Sequence, residues 1–208
     1  LLGAALLLGC VGCGTNSDTG SASQDTPGKT DEVQRIVDAM SLEDKVAQLF
    51  LVKPEAIVDI GTATAAGEST KQAIDKTPVG GFVYFSDNLQ SEQQVQEMLS
   101  NVQKYSKDRT GLPAFLSVDE EGGTVARVAG SGRFDVTNVG NMSDIGASGD
   151  VQKAEQAGET IGTYLSELGF NLDFAPDADV LTNPENTVVK KRSFGSDPQV
   201  VSDMSLAV

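Results

Sequence analysis

The 208 residues contain no histidine and no tryptophan. Without histidine there is no imidazole for acid–base work near neutral pH, and the commonest zinc ligand is missing. Without tryptophan there is no indole platform for stacking a sugar ring. Cysteine is nearly absent too: Cys10 and Cys13 are the only two, both near the N-terminus, so no disulfide framework staples the body. Acidic residues outnumber basic ones 30 to 15, for a net charge of −15. That balance excludes nucleic acid as a partner class and disfavours electrostatic adhesion to anionic lipid. Most of the excess acid reads as a solubilising surface. What remains is an ordinary globular balance, 39% hydrophobic and 22% charged, in a length that suits one domain or part of a larger one. No cofactor and no metal is expected.

The chain opens on Leu1 to Val11, an apolar run too short to span a bilayer but matching the core of a secretion signal. It leads through Leu7-Leu8-Gly9-Cys10 into Val11-Gly12-Cys13, an apolar run, a small residue and a cysteine, which resembles the bacterial lipobox. The competing reading is an ordinary signal with incidental cysteines. Residues 1–13 are therefore expected to be an incomplete signal peptide with Cys10 or Cys13 acylated. The anchor would hold the protein by lipid on the extracytoplasmic face of a bacterial cell membrane. Residues 14–30, rich in Ser, Thr, Gly, Asp and Asn, read as a flexible tether, with folding from Asp31.

From there apolar residues recur in two alternating patterns. Val33, Ile36, Val37 and Met40 mark a helix, and Ser41-Leu42-Glu43-Asp44 is a candidate capping box for a second one through Ala47. Strands are expected at Leu49–Val52, Phe82–Phe85, Leu112–Val118 and Phe170–Ala175. Helices are expected within Thr64–Thr77, over Ser91–Lys107 and Val151–Leu168, and from Gln199 onward. Gly130–Asp150 and Pro176–Pro198 read as long loops. Strand alternating with helix implies a parallel sheet. Repeats of about 40 residues with elaborate loops after the strands suit an α/β fold that is part of a (β/α)8 TIM barrel, about its first half. A doubly wound sheet is the alternative, but Val52-Lys53-Pro54-Glu55 is not its phosphate-binding turn.

The densest chemistry lies in Leu112 to Arg127, an apolar run that ends in Asp119-Glu120-Glu121, then Gly122-Gly123, then Arg127. Delivering an acid to the C-terminal tip of a buried strand is how parallel α/β enzymes present a polar group to a ligand. The alternative is a strand ending in a solvated acidic loop.

Four ordered segments resemble glycoside hydrolase family 3, in its β-N-acetylhexosaminidase branch. They are Met40 to Leu49, Ser117 to Arg127, Gly169 to Val180 and Arg192 to Pro198. The second resembles the family's most distinctive N-terminal motif, with Thr124 where an arginine is usual. Residues 31–208 would then be the N-terminal part of the catalytic barrel.

By matched position, the resemblance implies that Asp119, Arg127 and Arg192 bind the sugar. A carboxylate accepts from two hydroxyls, and guanidinium groups donate and orient it. Structural readings stand beside these: an Arg127–Glu121 ion pair, Arg192 as a loop-ordering cation, and Asp179 as a loop-bracing acid. The resemblance also implies a retaining reaction on a carbohydrate containing N-acetylglucosamine. Its aspartate nucleophile sits on a later strand and its histidine on a later loop. Neither is expected before Val208, so the chain reads as a fragment with no catalytic residue of its own and an unpaired sheet edge. Two rivals are a family 3 β-glucosidase or xylosidase and a lipid-anchored sugar-binding module.

Overall fold

A computed structural model describes residues 27–208. Cys10, Cys13 and the expected leader lie outside the described residues, as does most of the expected tether. Helix α1 (Pro27–Ala39) belongs to a unit separate from the body, Met40–Val208. It starts at Pro27, inside the stretch read as tether. Proline suits a first helical position because its missing N–H has no intrahelical partner there.

The body begins with α2 (Leu42–Ala47), where Ser41 Oγ accepts from the Asp44 N–H at 3.1 Å. Asp44 does not complete a capping box. Its carboxylate takes both arms of Arg109 instead, at 2.8 and 3.3 Å. Next come β1 (Leu51–Val52), α3 (Glu68–Lys76), β2 (Gly81–Tyr84), α4 (Glu92–Thr110) and β3 (Phe115–Val118). A hairpin of β4 (Glu120–Gly122) and β5 (Val125–Ala126) follows, then α5 (Met142–Ser148), α6 (Val151–Leu168), β6 (Leu172–Asp173) and α7 (Pro198–Ala207). The main sheet runs β1-β2-β3-β6 with every pairing parallel. This is the expected α/β arrangement, strand–helix units of a partial barrel.

The helices form where their apolar residues can cover that sheet. On α4, Val95, Met98, Leu99 and Val102 are buried; on α6, so are Ile161, Tyr164, Leu165 and Leu168. They close over Phe82, Tyr84, Leu116 and Val118, with Phe170 edge-on to Tyr84 at 6.0 Å between ring centroids. Each buried aliphatic or aromatic side chain contributes roughly 1.5–3 kcal/mol.

The strands are shorter than the apolar runs suggest. Leu49 and Phe50 turn outward and stay exposed, so only Leu51 and Val52 pair. β6 is reduced to two residues by Asn171, which fills the ladder with its side chain. Asn171 Oδ1 accepts from the Leu116 N–H at 2.7 Å and its amide donates to the Ala114 carbonyl at 3.0 Å. Asn171, a polar residue inside the expected Phe170–Ala175 strand, is thus a side-chain rung.

Gly130–Asp150 is not all loop: α5 lies inside it, with Met142, Ile145 and Gly146 buried. Together with Ala154, Ala157, Val201 and Met204, α5 seals Phe194 in a second core. Gly146 passes so close to the Phe194 carbonyl that a Cβ would overlap it. Gly146→Ala is expected to cost about 2–4 kcal/mol, read as a lower urea midpoint at unchanged slope. A loss of stability below about 0.5 kcal/mol would show that the segment carrying Phe194 is not held by this contact.

Candidate functional site

The C-terminal ends of the parallel strands converge on the three adjacent carboxylates that follow β3. Antiparallel pairing of Glu120 with Ala126 across the hairpin sets Asp119 opposite Arg127 one step further out. The two meet at 2.9 Å, with side chains 24% and 29% exposed. Arg127 also lies over the Phe85 ring at 5.7 Å, and Lys53, from the end of β1, approaches the same ring at 5.3 Å. Phe85 is the first residue after β2 and Asp119 the first after β3, at adjoining register. Two cations, an aromatic ring and a partly open carboxylate therefore share the rim.

Glu120 points the other way and is fully buried. Its Oε2 accepts from the Val128 N–H at 2.7 Å, and its Oε1 from the Ala129 N–H at 2.9 Å and the Tyr164 hydroxyl at 2.8 Å. Among the described residues no lysine or arginine pairs with it. Three donors on one carboxylate compensate for the lost water.

Glu121 falls at the irregularity in the hairpin register, which turns it away from both neighbours. Its side chain is 5% exposed and takes the Arg192 fork, Nε and Nη2 at 2.7 Å each. The alternative Arg127–Glu121 pair is therefore not formed, and two separate pairs stand instead, Arg127–Asp119 and Arg192–Glu121. The hairpin register and its bulge are the cause. Glu121 holds the Arg192 guanidinium above its ordinary value, chiefly through this hydrogen bond. Asp177 Oδ2 adds attraction at 3.5 Å without a hydrogen bond.

The Gly122-Gly123 step that follows has φ values of +84° and +55°, and Cβ atoms there would come within 2.7 Å of Val139 Cγ2 and 2.5 Å of Asn141 Oδ1. Only glycine fits both constraints. Thr124 sits exposed at the hairpin tip. Asp179 braces its loop through the backbone rather than its carboxylate, its carbonyl accepting the Ser193 hydroxyl at 2.6 Å. Among the described residues no cluster of three or more His, Cys, Asp or Glu is arranged to hold a metal ion.

Asp173, at the end of β6, accepts the Glu120 N–H at 2.9 Å. Burial pushes its carboxyl up to about 7, and the neighbouring Glu120, Asp119 and Glu121 act in the same direction. Glu120, Asp173, Phe85 and Lys53 were not singled out by the sequence. The only signal for Asp173 was a polar residue inside an apolar strand pattern, and nothing ranked Glu120 apart from its two neighbours.

The family model described as the glycosyl hydrolase family 3 N-terminal domain matches residues 41–208. The chain belongs to glycosyl hydrolase family 3. The β-hexosaminidase LpqI of Mycobacterium tuberculosis is 30% identical to this family 3 chain over 96% of it and 49% of LpqI. β-Hexosaminidase A of Pseudoalteromonas piscicida is 37% identical over 65% of the chain and 23% of that protein. The structure of a family 3 β-N-acetylglucosaminidase from a Paenibacillus species superposes with a TM-score of 0.71 at 33% identity, covering 81% of this chain and 30% of that one. The family 3 chain thus spans half or less of the length of these relatives.

The folded Asp173 carboxyl binds its proton more tightly than the ordinary 3.8. Its contribution to stability is therefore full below about pH 4 and is lost as pH rises towards 7. Asp173→Asn keeps an acceptor for the Glu120 N–H. It is expected to remove that slope and leave the protein on the order of 1–2 kcal/mol more stable at pH 8, read by urea unfolding from pH 4 to 8. An unchanged slope would show that Asp173 ionises normally. Arg192→Met strands the Glu121 charge and should cost about 3–5 kcal/mol at pH 7 in the same assay.

Proposed function

We propose that this chain supplies the sugar-gripping part of a retaining β-N-acetylhexosaminidase that removes terminal β-linked N-acetylglucosamine from muropeptides or amino-sugar oligosaccharides. The observation that carries the reading is the Asp119–Arg127 pair, partly open at the C-terminal tip of β3, in a family 3 chain whose relatives are β-hexosaminidases. Asp119 accepts from two sugar hydroxyls while Arg127 fixes its orientation and donates beside it. Only two of the five Arg192 N–H groups are committed to Glu121, so its outer edge is left to donate to a ring substituent.

The chemical step needs a nucleophile and an acid/base flanking the anomeric carbon. In the family these are an aspartate and a histidine from later segments, and the 208 residues contain no histidine. The enzyme is held by lipid on Cys10 or Cys13 at the extracytoplasmic face of a bacterial membrane. That part of the proposal rests on the apolar run before the cysteines.

Full-length protein is expected to hydrolyse 4-nitrophenyl N-acetyl-β-glucosaminide, and Asp119→Ala to lower kcat/KM by about 100-fold or more, on the order of 3 kcal/mol of transition-state binding. The isolated 208-residue chain should give no turnover. Preference for the plain β-glucoside, or turnover by the isolated chain, would overturn the proposal.

A further inference from the structure

The two residues assigned to the sugar, Asp119 and Arg127, sit at the two ends of one hairpin. Glu120 follows the first directly, and its carboxylate accepts the N–H groups of Val128 and Ala129, the two residues that follow the second. One side chain therefore clips the hairpin shut around both. The clip is itself anchored twice. The Tyr164 hydroxyl ties its Oε1 to α6, and the Glu120 N–H donates to Asp173 on β6.

We propose that Glu120 is a positioning residue of the sugar site, its buried charge fixing the spacing of Asp119 and Arg127 through the Val128 and Ala129 amides and the Tyr164 hydroxyl. The inference rests on the sugar-binding reading of Asp119 and Arg127, but the clip can be tested apart from it. A purely structural carboxylate would add stability and leave the site alone. This one binds the backbone directly behind a ligand-facing arginine, so slack in the clip becomes displacement of Arg127.

Truncating Glu120 to alanine would bury unpaired amides and threaten folding, so the test uses milder changes in the full-length protein. Tyr164→Phe removes one of three donors and keeps the ring. Glu120→Asp keeps the charge but is one methylene short of the two amides. Each is expected to raise KM for 4-nitrophenyl N-acetyl-β-glucosaminide by about 5–10-fold, with kcat within about twofold. Tyr164→Phe should at the same time lower Tm by no more than about 4 °C. A fall in Tm with KM unchanged assigns Glu120 a structural role only and overturns the proposal.

Should the wild-type enzyme fail to cleave the substrate, the functional reading falls and the clip is judged by amide hydrogen exchange. Faster exchange at Val128 and Ala129 in Tyr164→Phe supports the clip. Unchanged exchange overturns it.

Discussion

Three carboxylates in a row cannot share one environment. Crowded together at one rim, three like charges would repel one another. The hairpin after β3 separates them. Asp119 stays at the rim against Arg127, Glu120 turns inward to neutral donors, and Glu121 is swung by the register irregularity onto Arg192. Almost every other local feature serves that separation. The paired glycines let the hairpin close, Tyr164 meets the buried acid from the helix layer, and the loop after β6 brings Arg192 back across the strand ends.

The consequence is that both arginines at the strand ends are charge-balanced within a strongly acidic chain. Arg127 and Arg192 are each already paired with a carboxylate, so neither leaves a bare positive charge at the strand ends. Phe85, with Lys53 and Arg127 over its ring, adds an aromatic face to that rim.

Much of this was legible in the chain because period and composition report burial. The α4 and α6 stripes, the order of strands and helices, and the parallel sheet all follow from apolar spacing, and the four motif segments pointed to the family. What escaped was set by partners distant in sequence. Nothing near Glu121 indicates that its cation is 71 residues away. Nothing in three adjacent acids reveals which one is buried, because the choice is made by the hairpin register and by Tyr164, 44 residues on. α5 was missed because its seven residues include a glycine and polar side chains, and its stability comes from sealing Phe194 rather than from propensity. The two-residue β6 was overestimated because Asn171 imitates backbone pairing with its amide.

The close approach of Gly146 to Phe194 has a bearing on the shape of the site. Arg192 lies two residues from Phe194, so the reach of its guanidinium towards a ligand is inherited from a helix nearly fifty positions earlier. A side chain at residue 146 would push the Phe194 backbone outward, and the displacement would reach Arg192 through two residues. The geometry of the rim is thereby tethered to a hollow in the scaffold beneath it.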